Sequence, residues 1–208
     1  MTRGKKLWLA SVIGLLCVSL VFASDDRDKY HQPDKVMDLV GVRPGMIIGE
    51  VGAGSGYFTF KLAKRVGESG YVYANDISKK ALDSLRERSE RDGVLNIEAI
   101  VGEVEDPRLP QGLDMVFIVN AFHDLANPVA LLNNLASSLK PNASVVIIDR
   151  DPAKLNYATS HFLTKEEILQ KINESVFVLD RIETFLAQHN IYILHLEERE
   201  LRRHHEYR

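Results

Sequence analysis

The chain has 208 residues, of which 45% are apolar, so it can form one substantial hydrophobic core of single-domain size. Its 26 lysines and arginines are outnumbered by 29 aspartates and glutamates, which argues against the basic surface of a general nucleic-acid binder. The single cysteine, Cys17, lies in the N-terminal segment, so the remainder of the chain has neither a disulfide nor a thiol nucleophile.

The first 23 residues have the layout of a secretory signal. Arg3, Lys5 and Lys6 precede an apolar run at 7–22, and Ala23 is a small residue at a plausible cleavage point. The run is short for a membrane span, which needs about 20 apolar residues, so an uncleaved membrane anchor is the alternative. We therefore expect an exported, periplasmic or secreted protein that contacts a membrane only if this segment is retained.

Predicted strands and helices alternate beyond this segment. Residues 24–33 are polar and charged, and we expect a flexible lead-in there. Short apolar runs predict strands at 46–51, 71–75, 97–101, 115–119 and 145–148. Helix caps and apolar spacing predict helices at 34–40, 57–66 and 78–92, and another after Asn127-Pro128. This repeated alternation favours a parallel sheet wrapped by helices.

The C-terminal part of the sequence breaks the alternation. A capping box at Thr164-Lys165-Glu166-Glu167 predicts a helix to about Ile172. Two strand-like runs follow at 177–186 and 191–196, joined by the turn Gln188-His189-Asn190. Because no helix fits between them, we expect an antiparallel hairpin. Residues 197–208 have the composition of a charged tail, so the folded domain is predicted at 34–196.

The most informative stretch is the run Glu50-Val51-Gly52-Ala53-Gly54-Ser55-Gly56, between a predicted strand and a predicted helix. Glycines there allow a positive φ and a close approach of the backbone to a ligand. Their spacing does not match the dinucleotide pattern G-x-G-x-x-G, because Tyr57 takes the last glycine position, and no phosphate-loop Gly-Lys-Ser/Thr follows. Glu50 would repel a pyrophosphate but suits an ammonium group. The run therefore favours a nucleoside that carries an amino acid, namely S-adenosylmethionine.

Polar residues also follow the other predicted strands, at the edge where an open parallel sheet binds its ligands. Asp76 lies 20 residues beyond Gly56, where an acid accepts hydrogen bonds from ribose hydroxyls; otherwise it only starts a helix. Glu103 lies where the edge of a base would reach, or is an ordinary exposed acid. Ile77 and Val104 would sandwich an adenine, or belong to the core.

These features together resemble a class I S-adenosylmethionine-dependent methyltransferase, over roughly residues 33–196. The resemblance is carried by the glycine run, Asp76, Gly102-Glu103, Asp114 and the terminal hairpin. The string Gly52-Ala53-Gly54-Ser55-Gly56-Tyr57-Phe58-Thr59 is similar to that of the small methyltransferase-domain proteins of bacteria, and more loosely to that of protein isoaspartyl methyltransferases. One departure is Lys140-Pro141-Asn142-Ala143, where many relatives have a Lys-Pro-Gly-Gly turn before strand five.

The resemblance implies a Rossmann-like α/β fold with helices on both faces of a seven-stranded sheet, of order 3-2-1-4-5-7-6 with strand 7 antiparallel. It further implies that Glu50 and the glycine run contact the methionine part of the cofactor, Asp76 the ribose and Glu103 the adenine. The cofactor-binding residues expected from these arguments are Glu50, Gly52, Gly54, Gly56, Tyr57, Asp76, Ile77, Glu103, Val104 and Asn120.

The methyl acceptor is expected beside the segment Asn120-Ala121-Phe122-His123-Asp124, which follows strand four. His123 would be a catalytic base or a donor that orients the acceptor, with Asp124 or Asp149 nearby; alternatively, it is a loop histidine bonded to backbone. A base is required only if the acceptor loses a proton. Tyr30, His31 and Gln32 could cover the cofactor, and Tyr157 and His161 could line the acceptor site. The histidines are scattered in sequence, so no metal site is predicted.

Two other functions remain open from the sequence. One is a non-catalytic nucleoside-binding module with the same fold. The less favoured one is a NAD(P)-dependent oxidoreductase, which the glycine spacing and the terminal hairpin disfavour. For a methyltransferase, the expected acceptor is a small molecule or a protein side chain. Export conflicts with the cytosolic synthesis of S-adenosylmethionine, so an exported enzyme would require a supply of cofactor outside the cytosol.

Overall fold

The computed structural model describes residues 27–197. The predicted signal at 1–23 lies outside this range, as does nearly all of the predicted charged tail. Seven strands form one sheet: β1 (Ile47–Val51), β2 (Tyr71–Asp76), β3 (Ile97–Val101), β4 (Leu113–Val119), β5 (Leu139–Arg150), β6 (Phe177–Glu183) and β7 (His189–Leu196).

The strand order is β3-β2-β1-β4-β5-β7-β6, and it confirms the predicted topology. Strands β1 to β5 run parallel, whereas β7 pairs antiparallel with both β5 and β6. Strands β2 and β3 lie on one side of β1, whereas β4 and all later strands lie on its other side. The strand order therefore reverses between β1 and β4. In sheets of this kind ligands bind at the carboxyl ends of the strands, beside this reversal.

Within residues 27–197, six α-helices accompany the sheet: α1 (Asp28–His31), α2 (Pro33–Val40), α3 (Thr59–Val66), α4 (Lys79–Asp92), α5 (Pro128–Leu135) and α6 (Lys165–Asn173). Side chains of the N-cap residues stabilise the first turn of several helices. Ser78 and Asn127 accept a backbone N–H at the beginning of α4 and α5, and Thr164 forms the predicted capping box with Glu167. Among residues 27–197, no helix is long and apolar enough to cross a membrane.

Hydrophobic side chains cover both faces of the sheet, because successive residues of a strand point to opposite faces. On β5, Val145 and Ile147 pack in a cluster that includes Leu131 of α5 and Ile168 of α6. The alternate β5 residues, at 146 and 148, pack in a second cluster with residues of α2 and α3. The central strands are therefore buried on both sides, and only their carboxyl ends remain open to a ligand.

The structure differs from the sequence prediction at the N-terminal end and in β5. Residues 28–31 form α1, and His31 is buried, so a flexible lead-in is wrong for this part of 24–33. Residues 140–143 belong to β5 as a bulge: from Leu113 to Met115 on β4, the partner residue moves from Leu139 to Ser144. Strand β5 thus begins before the predicted 145, and where relatives have a Lys-Pro-Gly-Gly turn the exposed residues at 141 and 142 bulge out of an extended strand.

Two smaller differences concern element boundaries. Helix α3 begins at Thr59 rather than at 57, because the glycine loop continues as a turn to Phe58. Strand β7 begins at His189, and both His189 and Asn190 are buried, so the predicted turn 188–190 is wrong for these two residues. Their polarity suggests a solvated turn, yet they pair with the carboxyl end of β5.

Candidate active site

The glycine loop follows β1 and turns tightly at the carboxyl edge of the sheet. Gly52, Gly54 and Gly56 all have a positive φ, between +56° and +90°. A Cβ at Gly52 would lie 2.5 Å from the Cβ of Ala121, whereas one at Gly54 would meet no atom within 4 Å. Glycine at 52 thus allows close packing against the segment after β4, and glycine at 54 keeps the space beside the loop free for a ligand.

Asp76, the last residue of β2, connects the loop to the beginning of α4. One carboxylate oxygen accepts the N–H of Gly54 at 2.8 Å, and the other accepts the N–H of Ser78 at 2.8 Å. Each carboxylate oxygen has a further lone pair for a ligand hydroxyl. Asp76 therefore combines the two roles considered from the sequence: it starts a helix and also lines the cavity described next.

A cavity of about 330 Å³ opens at the carboxyl ends of β1, β2 and β4. Six of the ten predicted cofactor residues line it: Gly52, Asp76, Ile77, Glu103, Val104 and Asn120. Ile77 and Val104 are 64% and 50% exposed, which is unusual for large apolar side chains. Two exposed apolar side chains in the wall of a cavity that also has polar groups suit a flat, weakly polar ring, as in adenine.

The loop that carries Glu103 and Val104 is held by a residue that the sequence does not single out. Asn75 is buried, and its amide donates to the carbonyl of Pro107 at 2.8 Å. A Cβ at Gly102 would lie 2.2 Å from that amide nitrogen, so only glycine fits there. The carboxylate of Glu103 pairs with Arg108. Nothing in the sequence distinguishes Asn75 from an ordinary residue of β2, so its role in holding this loop is visible only in the structure.

Glu50 is buried in β1 and does not line the cavity. Its carboxyl accepts a hydrogen bond from the Thr59 hydroxyl at 2.6 Å. Burial raises the pKa of Glu50 to about 8; the Thr59 hydrogen bond opposes this rise, and the negative charge of Asp76 adds to it. Without a cation beside it, the group is therefore mostly protonated at neutral pH, in contrast to the charged carboxylate that the sequence suggests.

The segment after β4 holds His123 in one orientation. Its backbone N–H donates to Asp149 Oδ2 at 2.9 Å, and its ring Nδ1 lies 2.7 Å from Asp149 Oδ1. An ionised carboxylate only accepts hydrogen bonds, so Nδ1 carries the proton and Nε2 has the free lone pair. Burial lowers the pKa of His123, but the hydrogen bond and charge of Asp149 and the charge of Asp124 outweigh it and raise the pKa overall.

Asn120, directly after β4, adopts a left-handed conformation with φ of +52°. Its N–H donates to the carbonyl of Ile148 at 2.7 Å, while its side-chain oxygen is buried without a hydrogen-bond partner. A buried carbonyl oxygen without a donor costs free energy unless a ligand or water supplies one. Together with its position in the cavity wall, this unsatisfied oxygen fits a residue that contacts a ligand.

Aromatic side chains pack around the His123 ring, and an acidic side chain lies beside its Nε2. The ring of His161 lies 4.9 Å from that of His123, and Phe162 lies 4.7 Å from both. Asp124 Oδ2 is 3.4 Å from His123 Nε2, and Asp124 also lines the cavity. The structure thus brings His123 and His161 together although 37 residues separate them in sequence, so scattered spacing was a poor guide to their proximity. Tyr157, the other expected wall residue, is exposed.

The residues before α2 contact the glycine loop through Tyr57, which does not line the cavity. The Tyr57 hydroxyl donates to Asp28 at 2.9 Å, and its ring lies 5.4 Å from that of His31. His31 in turn stacks on His189 at 4.5 Å. Of the three residues expected to cover a cofactor, only His31 is buried, whereas Tyr30 is 46% exposed.

Comparison with known protein families identifies the chain. The profile of the methyltransferase domain family matches residues 43–199, which include the glycine loop, the cavity and the terminal hairpin. The chain belongs to this family. Its fold and family together show an S-adenosylmethionine-dependent methyltransferase of class I, as the glycine loop and Asp76 predict. The residues that line the cavity fit this cofactor: Asp76 suits the ribose, and Ile77 and Val104 the adenine.

Relatives and solved structures agree with this family. The chain is 27% identical over 115 residues to the ubiquinone/menaquinone biosynthesis C-methyltransferase UbiE of Hydrogenovibrio crunogenus, covering 54% of this chain and 45% of that protein. Thus the chain spans less than half of the relative it matches. A SAM-dependent methyltransferase from Aquifex aeolicus superimposes with a TM-score of 0.77 at 26% identity, covering 82% of this chain and 93% of the other. An S-adenosylmethionine-dependent methyltransferase from Clostridium acetobutylicum shares the fold, with a TM-score of 0.64 at 11% identity. The superposition covers 85% of this chain and 94% of the Clostridium chain.

Proposed function

We propose that this methyltransferase acts on a small molecule whose attacking atom loses a proton, and that His123 accepts this proton. The single observation that carries the proposal is the pairing of His123 Nδ1 with Asp149 at 2.7 Å. In the sequence His123 lies between Ala121 and Asp124, which both line the cavity. Hydroxyl groups, and ring carbons activated by a hydroxyl, are acceptors of this kind.

The chain's own groups have separate tasks in the proposed reaction. Bound S-adenosylmethionine supplies an electrophilic methyl group on a positively charged sulfur. Asp76, Ile77 and Val104 hold and orient the nucleoside, which matters because orientation can contribute about 7–11 kcal/mol in favourable cases. His123 Nε2 takes the acceptor proton while Asp149 stabilises the resulting imidazolium. The positive charge is lost from the sulfur and appears on the imidazole, so charge is conserved.

Relatives in quinone biosynthesis support a hydroxylated aromatic acceptor. The UbiE proteins are C-methyltransferases of ubiquinone and menaquinone biosynthesis, and each is similar to 54% of this chain. A ring carbon becomes nucleophilic when a neighbouring phenol ionises, which is a task for a base such as His123. The first acceptors to test are therefore hydroquinones, phenols and catechols.

The role of His123 is tested by His123→Asn and Asp149→Asn. Loss of the base should lower kcat by about 10²–10⁴-fold, while the affinity for S-adenosylhomocysteine, measured by calorimetry, should change less than threefold. The matched control is His195→Asn, which alters a half-exposed histidine on β7. Turnover of His123→Asn within threefold of wild type, on any acceptor that the wild type methylates, would contradict base catalysis.

The cofactor assignment is tested separately by Asp76→Ala. Loss of the hydrogen bonds from Gly54 of the loop and from Ser78 at the start of α4, and of the expected ribose contacts, should weaken S-adenosylhomocysteine binding at least about tenfold. Asp83→Ala is the control, because Asp83 is an exposed acid of α4 that pairs with Arg86. Equal affinities for both variants would argue against the ribose role of Asp76.

We further propose that the enzyme is exported, as the layout of residues 1–23 suggests. The acceptor would then be a small molecule or an exposed protein side chain outside the cytosol, and no nucleic-acid partner is proposed. Fractionation with N-terminal sequencing tests this directly. A mature chain that begins after Ala23 supports export, whereas a cytosolic chain that begins at Met1 contradicts it.

A further inference from the structure

Three side chains beside the proposed acceptor position have the composition and spacing of a metal site. One ligand atom from each of His123, Asp124 and His161 can be chosen so that all three lie within 4.8 Å of one another. His123 and Asp124 come from the short turn after β4, and His161 from the segment between β5 and α6. Two elements of the fold thus converge on one point.

Second, the His123 ring is oriented as in established metal centres. Histidine ligands almost always donate their other ring N–H to a carboxylate, a carbonyl or a water, which fixes the orientation of the ring. Asp149 has this relation to His123, at 2.7 Å from Nδ1, and its side chain is fully buried. The side chain of His123 is itself only 3% exposed, so its free Nε2 is held in place.

Third, the atoms that face one another at this point lack a cation. The lone pair of His123 Nε2 lies 3.4 Å from Asp124 Oδ2, and His161 Nε2 lies 3.9 Å from Asp124 Oδ1. Within residues 27–197, neither a lysine nor an arginine forms an ion pair with Asp124. Two hydrogen-bond acceptors this close to each other are stabilised when either a proton or a metal ion lies between them.

We propose that His123 Nε2, Asp124 and His161 bind one divalent transition-metal ion, with Asp149 as the carboxylate that orients His123. Two imidazoles and one carboxylate favour ions such as Zn²⁺ or Co²⁺ over Mg²⁺, which prefers oxygen ligands. Three protein ligands leave at least one coordination position open, as in catalytic rather than structural zinc sites. Asp124 also lines the cavity, so a metal ion held by these residues would lie beside it.

The metal and the acceptor proton would compete for the same lone pair. A metal-loaded protein therefore lacks the base assigned to His123, and Zn²⁺ is expected to inhibit base-dependent methyl transfer. This consequence rests on the proposed function, but binding of the metal does not. The site is accordingly tested by metal binding in the absence of cofactor and acceptor.

The experiment is a calorimetric titration of the untagged, chelator-treated full chain with Zn²⁺, paralleled by the visible absorption of bound Co²⁺. His204 and His205 of the tail lie outside the described residues and could bind metal themselves, so every variant also carries His204→Gln and His205→Gln. The test variants are His161→Ala, Asp124→Asn and Asp149→Asn. The control is His195→Ala: His195 is 43% exposed and lies 3.9 Å from Asp180, just as His161 lies 3.9 Å from Asp124, but without a third ligand.

We expect one Zn²⁺ per chain, Co²⁺ absorption typical of nitrogen and oxygen ligands, and no competition by Mg²⁺. His161→Ala and Asp124→Asn should weaken binding by at least about 10-fold, and Asp149→Asn by about 10–100-fold, while His195→Ala should not. S-adenosylhomocysteine binding by each variant verifies folding. Absence of Zn²⁺ binding at 100-fold excess over protein, or equal binding by His161→Ala and His195→Ala, would overturn the proposal. Either result would leave the assignment of the cofactor site intact.

Discussion

At the scale of single residues, Glu50 is a buried acid whose charge we expect to change when the cofactor binds. Its carboxyl is buried, with a pKa raised to about 8, and it lies in β1 just before the glycine loop. A cationic amino group bound nearby would stabilise the ionised form and lower that pKa. Cofactor binding should then convert a mostly neutral carboxyl into a carboxylate at pH 7.

This coupling predicts that S-adenosylhomocysteine binding at pH 7 releases up to one proton. Calorimetry in buffers with different ionisation enthalpies measures the number released. Glu50→Gln keeps the shape of the side chain and an acceptor for Thr59 but removes the titration, so its binding enthalpy should not depend on the buffer. A wild-type enthalpy that is equally independent of buffer would contradict the proposed contact between Glu50 and the amino group.

The residue scale also shows what sequence reasoning can and cannot find in the site. Asp76, Ile77 and Val104 could be predicted because each follows a strand, and strand ends meet at one edge of the sheet. The role of Asp149 as the partner of His123 could only be suspected, since register and loop path determine the pairing. His161 was missed as its close neighbour because nothing in sequence spacing reports the packing of one loop on another.

At the scale of elements, the glycine loop depends on its contact with the segment after β4. Gly52 has a φ of +72°, and a Cβ at this position would clash with Ala121 because it would lie only 2.5 Å from the Ala121 Cβ. Gly112 also has a positive φ, of +87°, but a Cβ there would meet no atom within 4 Å. The two positions therefore separate backbone strain from steric contact.

We predict that Gly112→Ala lowers the free energy of unfolding by about 1–2 kcal/mol through strain alone, or roughly 2–8 °C in Tm. Gly52→Ala carries the same strain and must also displace Ala121, so it should lower Tm further and weaken cofactor binding. Thermal unfolding with and without S-adenosylhomocysteine measures both effects. If the two variants lose equal stability and equal affinity, the close contact at Ala121 does not matter.

The limits of two strands, β5 and β7, differ from those predicted from the sequence. The seven strands and their order followed from apolar runs and from the family resemblance. The limits of β5 and β7 did not, because Pro141 and Asn142 have the residue types of a turn, as do His189 and Asn190. Pairing in the sheet overrides these local preferences: β5 accommodates the first pair as a bulge, and β7 buries the second.

At the scale of the whole molecule, His189 links folding stability to pH. Burial, together with the charges of His31 and Arg150, lowers the pKa of His189 to about 3. The unfolded chain, with a histidine pKa near 6.5, binds a proton that the folded chain excludes between these values. This group therefore contributes stability that is present above about pH 6.5 and is lost as the pH falls toward 3.

His189→Gln tests this pH dependence. Between pH 6 and pH 4 the free energy of unfolding of the wild type should fall more steeply than that of the variant, by up to ~1.4 kcal/mol per pH unit. Urea unfolding across this range gives both slopes, so a general loss of stability in the variant does not affect the comparison. His195→Gln, a half-exposed histidine on the same strand, should keep the wild-type slope. Identical slopes for wild type and His189→Gln would contradict a buried neutral histidine.

Because β7 is antiparallel to β5, the two ends of the described chain lie at opposite edges of the sheet. Arg27 packs on the ring of Tyr57, 4.0 Å from its centroid, so the chain enters the fold beside the glycine loop. His195 pairs with Ser144 in the first half of β5, so the chain leaves β7 at the opposite edge of the sheet. A fusion partner or surface linker joined after residue 197 therefore starts at the edge of the sheet opposite the cavity, whereas one joined before Arg27 starts beside the glycine loop.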